Sequence, residues 1–221
     1  LTSTTETSIT ISWNASTDNV GVTGYRVYRN GSLLGSTSAS TLTYTDNTVA
    51  PCTNYTYTVS AFDAAGNHSA QSAGLDVTNC PPDLTPTLIV TPNISHGETS
   101  FDVIVRVTEL NGVNTFGTIT VHIPKDPRWN LDGAYNPSLA MLNEIPLNNG
   151  NWTYSSDATN HIFTSATVIP AGDFSNFGFT IIFNPDTSRG EHTITSQVVS
   201  GSGGESRVNN NADSERLDYF Q

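Results

Sequence analysis

The most informative part of the sequence is residues 49–62, which read VAPCTNYTYTVSAF. From Tyr55 onward, aromatic or aliphatic residues alternate with hydroxyl residues. The first set is Tyr55, Tyr57, Val59 and Ala61, and the second is Thr56, Thr58 and Ser60. A period of two is typical of a β-strand that buries one face and exposes the other. Earlier in the chain, Asn30-Gly31 separates two β-rich runs and is a strong hairpin signal. These patterns predict a small β-sandwich in this half of the chain.

The composition extends the β prediction to the whole chain. Only 13% of the 221 residues are charged, below the quarter or so that is usual in globular proteins. Thr, Ser and Asn, which favour strands and turns over helix interiors, take their place. The net charge of −12 argues against nucleic acid and anionic membranes as partners. No apolar run reaches the roughly 18–20 residues needed to span a bilayer, so we predict an all-β, extracellular type of protein.

A break in the pattern divides the chain into two parts. Residues 79–83 read NCPPD, and two consecutive prolines end a strand and favour extended backbone, as linkers do. Beyond this break, the alternation of apolar and polar residues resumes in the runs 101–108 and 177–183. We therefore predict two β-sandwich domains in tandem, with these bounds: residues 1–79, a linker at 80–84, and residues 85–221.

Three segments of the first half follow the pattern of one family. Trp13 lies on an early strand, GYRVY at 24–28 lies on the next, and VAPCTNY at 49–55 leads into the alternating strand. Together these segments resemble a fibronectin type III domain. The resemblance implies that Tyr55 is a corner tyrosine, whose hydroxyl bonds to the backbone of the preceding turn. It also implies that Trp13 and Tyr28 belong to the core.

The two cysteines of the chain are the candidates for a disulfide. Cys52 stands where the fibronectin type III family usually has glycine, and the midpoint between positions 52 and 80 falls on Gly66 in a predicted turn. A hairpin folded about that turn places Cys52 opposite Cys80. Such a disulfide is worth about 3–4 kcal/mol in the chain-entropy model and indicates an oxidising compartment. The alternative is a pair of buried free thiols.

The second half carries a different resemblance. Four segments contribute to it: DLTP at 83–86, VTEL at 107–110, IPKDP at 123–127 and NNNADSERLDYF at 209–220. They resemble immunoglobulin-like modules near the C-terminal ends of large cell-surface proteins and adhesins of Bacteroidota. The resemblance implies export by the type IX secretion route. Because the chain begins at Leu1, inside or just after the opening strand of a fibronectin-type domain, we expect a fragment of a longer multidomain protein.

Catalytic motifs are not evident in the sequence. The five histidines show no paired metal-ligand spacing, and SGSGG at 200–204 has its glycines at the wrong offsets for a nucleophile elbow. A glycosidase pair of Asp132 and Glu144 has no cleft-forming length of chain around it. We therefore predict that the chain is not an enzyme.

Calcium is the cofactor for which the sequence offers candidate ligands. Asp132 lies in NLDG, a fragment of an oxygen-ligand loop, but Arg128 occupies the position where the first carboxylate would be needed. Asp213 and Glu215 lie close together near the C-terminus, where solvated charge is the alternative interpretation. These three carboxylates are the metal candidates, and no other cofactor is indicated.

Trp129, Trp152 and Tyr154 are the candidate carbohydrate contacts. They lie in polar, Asn-rich segments and not in alternating runs. An exposed indole stacks on the C–H face of a pyranose, and neighbouring Asn and Asp side chains bind hydroxyls. The alternative is that both indoles plug the end of the sandwich. Residues 136–142, between the two tryptophans, are expected to form one helical turn.

Taken together, these features predict a non-catalytic fragment of an extracellular, cell-surface adhesin-like protein that acts as a spacer or interaction module. Its partners are the neighbouring domains of the same polypeptide and a polysaccharide or another surface protein. The alternative is a carbohydrate-binding or accessory region of a secreted polysaccharide-degrading enzyme. Exposure of the two indoles separates these hypotheses, because a sugar platform requires an accessible ring.

Overall fold

The computed structural model of the protein describes residues 1–95, 100–184 and 189–220. The chain divides into two compact units, Leu1–Pro81 and Pro82–Gln221. Nearly all regular structure is β-strand, and each unit is a sandwich of mainly antiparallel sheets around its own core. The predicted fold class, an all-β chain with two β-sandwich domains in tandem, is confirmed.

The first unit is a seven-stranded sandwich. Its strands are β1 (Ser3–Thr5), β2 (Ser8–Ser12), β3 (Val22–Arg29), β4 (Ser32–Ser38), β5 (Thr43–Asp46), β6 (Asn54–Asp63) and β7 (Leu75–Thr78). One sheet has the order β1-β2-β5 and the other β4-β3-β6-β7. Alternate residues of both sheets meet in the core, among them Ile9 and Ile11 of β2 and Tyr55 and Tyr57 of β6. Tyr55 and Tyr57, two of the residues that recur with a period of two in the sequence, therefore lie on the inward face of β6.

The three aromatic residues predicted for the core of the first unit differ in burial. Tyr55 is buried, and its Oη accepts a hydrogen bond from the backbone N–H of Ala50 at 2.8 Å. Trp13 is half-buried and packs against the core, with its ring centroid 5.5 Å from that of Tyr25. The assignment of Tyr28 to the core is wrong. Strand alternation turns Tyr25 inward, so Tyr28, three residues further on, faces the other side of the sheet and is half-buried.

Cys52 and Cys80 are joined in a disulfide. Cys52 precedes β6 and Cys80 follows β7, so the bond closes the open end of an antiparallel hairpin in which Asn54 pairs with Thr78. The backbone at Cys52 has a φ of +50°, in the left-handed region that glycine adopts most readily. A cysteine therefore occupies a position whose backbone conformation suits glycine.

The second unit is larger. Its strands are β8 (Leu84–Thr91), β9 (Ile94–Ser95), β10 (Ser100–Glu109), β11 (Ile119–Pro124), β12 (Trp129–Leu131), β13 (Met141–Leu142), β14 (Ile145–Pro146), β15 (Thr153–Ser156), β16 (Asn160–Ser165), β17 (Phe174–Phe183), β18 (Arg189–Val198) and β19 (Ala212–Phe220). One sheet has the order β12-β17-β10-β8 and the other β15-β16-β11-β18-β19-β9, while β13 and β14 form a separate hairpin.

Aromatic side chains fill the centre of the second core. Phe177 and Phe179 of β17 lie opposite Val105 and Val103 of β10 in the antiparallel register. Phe163 of β16, in the facing sheet, stacks on Phe177 with ring centroids 4.3 Å apart. Burial of such large rings supplies much of the stability of a small sandwich.

A buried carboxylate organises the loops at one end of the second unit. Glu109, the last residue of β10, is 1% exposed. Its Oε1 accepts a hydrogen bond from the backbone N–H of Asn111 at 2.8 Å, and its Oε2 accepts from those of Gly112 at 2.8 Å and Gly172 at 2.9 Å. Two loops that are far apart in sequence are therefore tied to one side chain.

Candidate functional site

The longest connection of the second unit joins β12 to β15 and is called here the excursion (residues 132–152). It leaves the four-stranded sheet at one edge and rejoins the six-stranded sheet at another. Its regular structure is limited to the short strands β13 and β14 and a 3-10 turn at Asn149–Asn151. The helical turn predicted at 136–142 is not formed: one tight turn, closed by the N–H of Leu139 donating to Asn136 O at 3.2 Å, is followed by β13 from Met141. Long connections with little regular structure are usually functional or disordered.

Asn149 holds the excursion against β17. Its side chain is fully buried, and its Nδ2 donates to the carbonyl oxygens of Asn136 at 3.0 Å and Gly178 at 2.9 Å. Its Oδ1 accepts the N–H of Gly178 at 2.8 Å. One amide therefore satisfies both backbone groups of a strand residue and fixes the preceding turn of the excursion.

Close packing secures the same segment. A Cβ atom added to Gly178 would lie 3.0 Å from Leu147 and 3.1 Å from Leu142, both in the excursion, and 3.3 Å from Ile104. The hairpin of β13 and β14 thus covers the outer face of the four-stranded sheet, and Ile104 is 2% exposed although it points away from the central core. The excursion is held by hydrogen bonds and by apolar contacts.

The two tryptophans flank the excursion but face the interior. Trp129 is 2% exposed and stacks on His161 with ring centroids 4.8 Å apart. Trp152 is 1% exposed, packs on Phe177, and donates from Nε1 to Ser175 Oγ at 3.0 Å. The hypothesis that these indoles are exposed sugar platforms is wrong. Burial in the aromatic core stabilises each ring more than exposure to solvent would. The Trp152 N–H also has its hydrogen-bond partner there.

Tyr154, the third candidate, is half-buried on the edge strand β15. Its ring lies 5.3 Å from that of Phe163, and its Oη is 2.9 Å from His161 Nδ1. Burial, helped by the charge of Lys125, lowers the pKa of His161 to about 4. The imidazole is therefore neutral near pH 7, and the stack of Trp129, His161 and Tyr154 carries no charge.

Tyr135 is a neighbour that the sequence does not reveal. It lies in the excursion, with its ring centroid 6.2 Å from that of Tyr154 and 5.4 Å from that of Phe163. Its Oη donates to the carbonyl oxygen of Asn149 at 3.2 Å, and burial raises its pKa well above the usual range. Tyr135 sits in a turn without alternation, so no local pattern distinguishes it from an ordinary loop tyrosine.

Tyr135 and Tyr154 line a shallow depression with a volume of about 350 Å³. The full lining consists of Ala134, Tyr135, Pro137, Trp152, Thr153 and Tyr154. All of these side chains are uncharged, and Ala134, Pro137 and Thr153 are exposed. We call this surface the aromatic depression. Its lining is largely apolar, as that of ligand-binding surfaces usually is.

The calcium candidates are not brought together. Asp132 is exposed at the start of the excursion, while Asp213 lies on β19 and its Oδ2 accepts the N–H of Leu88 at 2.7 Å. Glu215 lies on β19 two residues beyond Asp213. Within the described residues, no group of three or more His, Cys, Asp or Glu side chains is arranged to hold a metal ion. The carboxylate of Asp213 instead holds the strand that opens the second unit.

A second concave surface, with a volume of about 510 Å³, lies on the first unit between residues 15–18 and 61–69. Asp18 and Asp63 line it, but both carboxylates are occupied. Asp18 Oδ1 accepts the N–H of Val20 at 2.8 Å, and Asp63 Oδ1 accepts that of Asn67 at 2.9 Å. These bonds stabilise the two loops.

In the part of the chain that the structure describes, every helical segment is too short or too polar to cross a lipid bilayer.

Comparison with known proteins finds similarity to a bacterial domain family and to segments of two enzymes. Residues 2–61 match the model of a bacterial Ig domain. The chain is 58% identical over 74 residues to "Chitinase D" of Niallia circulans, covering 34% of this chain and 14% of that enzyme. It is 43% identical over 151 residues to "Exoglucanase B" of Cellulomonas fimi, covering 65% of this chain and 14% of that enzyme. The chain thus spans a small part of each relative's length.

Among solved structures, the fibronectin(III)-like modules of Clostridium thermocellum CbhA align with 98% of this chain and 87% of their own, at 12% identity and a TM-score of 0.37. The residues that match the bacterial Ig domain model, 2–61, all lie within the first unit, Leu1–Pro81. These comparisons give no support to a Bacteroidota origin, to type IX secretion or to an adhesin.

Proposed function

We propose that this chain is a non-catalytic accessory region of a secreted polysaccharide-degrading enzyme, in which two sandwiches position the neighbouring parts of the same polypeptide. The observation that carries this proposal is the similarity to segments of a chitinase and an exoglucanase. The matched segments make up 14% of each enzyme, so most of each relative lies outside them. This favours the alternative formulated from the sequence over the adhesin-like spacer.

A positioning role is supported by how the buried polar groups are used. In the first unit, Asp46 is 2% exposed and accepts hydrogen bonds from Arg29 Nη1 at 2.7 Å and Tyr57 Oη at 2.8 Å. Despite burial, these bonds and those from Thr48 lower the pKa of Asp46. Like Glu109, this carboxylate is committed to holding strands and loops together, which suits a rigid module.

The proposed location outside the cytoplasm rests on the disulfide between Cys52 and Cys80. Disulfides persist in oxidising compartments and are rare in the reducing cytosol. The low content of charged residues and the net charge of −12 also fit a soluble module that repels its own copies.

The proposal is tested on the polypeptide that carries this chain. Antibodies raised against residues 1–221 are used to capture that polypeptide from the culture medium of the producing cells. Captured material and the isolated chain are then incubated with chitin, cellulose and starch, and the released reducing sugar is measured. We expect sugar release from the captured polypeptide and none from the isolated chain. Sugar release by the isolated chain, or an inactive captured polypeptide, would contradict the proposal.

A further inference from the structure

We propose that the aromatic depression is a binding subsite for an uncharged pyranose unit of a polysaccharide, with the rings of Tyr135 and Tyr154 as the stacking surface. This inference rests on the proposed function, since it names the ligand class that an accessory region of such an enzyme would bind. It assigns the stacking to a tyrosine pair of the second unit in place of the two indoles; Trp152 lines the depression but is 1% exposed.

The two tyrosine rings are preorganised. The Tyr135 hydroxyl donates to Asn149 O at 3.2 Å, and the Tyr154 hydroxyl is 2.9 Å from His161 Nδ1. Both hydroxyls are therefore engaged by the protein, and both rings also contact Phe163. Since the polar ends are held, the tyrosines line the depression with ring carbon. A fixed apolar surface binds a ligand without the cost of ordering its own side chains.

The lining of the aromatic depression is uncharged. None of the six lining residues is ionisable near neutral pH, in a chain whose net charge is −12. The neighbouring His161 is neutral at that pH, because its pKa is lowered to about 4 mainly by burial. An anionic glycan would meet no basic group among the lining residues. An uncharged sugar, with an apolar C–H face and hydroxyls at its rim, matches this lining better than an ionic ligand.

The aromatic depression is built by two neighbouring segments of the chain. Ala134, Tyr135 and Pro137 come from the excursion, while Thr153 and Tyr154 come from β15. Asn149 fixes the part that comes from the excursion, because its side chain bonds to the carbonyl oxygen of Asn136 and its own carbonyl oxygen holds Tyr135. A long connection fixed in this way is where binding residues are expected on a rigid scaffold.

The test uses the whole chain and soluble probes. Isothermal titration calorimetry measures binding of cellohexaose, chitohexaose and maltohexaose, with polygalacturonate as the charged comparison. We expect at least one uncharged oligosaccharide to bind, and to bind more tightly than polygalacturonate. Ala134→Arg fills the depression from an exposed position and is expected to weaken binding tenfold or more. Tyr135→Phe keeps the stacking ring but loses the hydrogen bond to Asn149 O that orders it, and is expected to weaken binding less than Ala134→Arg does.

Ala212→Arg is the matched control. Ala212 is exposed on β19, four strands from β15 in the same sheet, so this substitution is expected to leave the affinity unchanged. The thermal midpoint of each variant verifies folding. The proposal is overturned if none of the uncharged probes binds, if Ala134→Arg binds them as the wild type does, or if polygalacturonate binds as tightly. It is also overturned if the depression proves to be a contact between two copies of this chain, so that the only effect of Ala134→Arg is to abolish a dimer. None of these outcomes affects the activity of the captured polypeptide, so the two proposals fail separately.

Discussion

At the scale of single residues, Glu205 is the side chain with the most unusual environment. It is 4% exposed, and burial raises its pKa to about 7, with the charge of Asp83 acting in the same direction. Hydrogen bonds from the N–H of Leu84 at 3.2 Å and from Asn211 Nδ2 at 2.8 Å oppose the shift without cancelling it. The carboxyl thus lies between the first strand of the second unit and the loop that precedes its last strand.

This environment predicts a pH dependence of stability in the second unit. Because the folded pKa is about 7 and the ordinary value is 4.5, the folded state binds the proton more tightly. The contribution of Glu205 is fully present below pH 4.5 and is lost as the pH rises to 7 and above, by an amount on the order of 3 kcal/mol. Glu205→Gln should lack this loss, so its free energy of unfolding should rise relative to the wild type across that window.

Urea unfolding at a series of pH values measures this difference. Glu191→Gln removes the same charge from an exposed position on β18 and serves as the control. A difference between Glu205→Gln and the wild type that stays constant from pH 4 to pH 8 would show that the Glu205 carboxyl has an ordinary pKa.

Asn149 gives a second prediction at the residue scale. Asn149→Ala leaves the buried N–H and C=O of Gly178 without their side-chain partner, which should cost about 2–4 kcal/mol of stability. The loss should be local, with faster amide hydrogen exchange across residues 132–152. Asn151→Ala, at an exposed position two residues away, is the matched control. Equal exchange rates in the two variants would mean that Asn149 does not hold the excursion.

At the scale of elements, the hairpin of β6 and β7 depends on its disulfide. The bond closes a span of 28 residues in sequence, and the strands pair from Asn54–Thr78 to Tyr57–Leu75. Asn79, next to Cys80, is fully buried and accepts the N–H of Thr53 at 3.0 Å through its Oδ1. The end of the hairpin is therefore tied by a covalent bond and by a side-chain amide.

Removing the disulfide should destabilise the first unit. The double variant Cys52→Ser with Cys80→Ser is expected to lose about 3–4 kcal/mol, because the unfolded chain gains loop entropy. Cys52→Gly with Cys80→Ser should be about 1 kcal/mol more stable than that variant, because glycine adopts the positive φ at position 52 without a steric cost. Denaturant unfolding of both variants makes the comparison, and a glycine variant less stable than the serine variant would refute the backbone argument.

At the scale of the whole molecule, the chain holds two separate cores. One core draws on residues of Leu1–Pro81, including Ile9 and Tyr57, and the other on residues of Pro82–Gln221, including Phe163 and Phe177. Each core contains buried side chains from both sheets of its own sandwich. Each unit therefore has the apolar interior that independent folding requires.

Two cores predict two unfolding transitions. In differential scanning calorimetry, a reductant should lower the midpoint of one transition only, since the disulfide lies within the first unit. Glu205→Gln at pH 8 should move only the other transition. A single transition that responds to both changes would show that the two units unfold together.

The sequence by itself determined the fold class. Alternation is a property of a single strand, so residues 55–61 show their buried face without knowledge of their partners. The break at NCPPD is equally local, because consecutive prolines restrict the backbone wherever they occur. The pairing of Cys52 with Cys80 was also accessible, since a hairpin relates positions that are symmetric about its turn, and the structure joins these two cysteines.

Only the tertiary structure decided which aromatic rings are buried and which line a surface. Trp129 and Trp152 sit in polar segments of the sequence, yet the sheets close over both rings. Tyr135 meets Tyr154 because Asn149 folds the excursion back against β17. Such contacts join residues whose separation in sequence has no period, and local pattern holds no information about them. Whether a loop side chain is buried or exposed depends on the free energy of its packing against distant strands. This packing is defined only once the sheets are assembled.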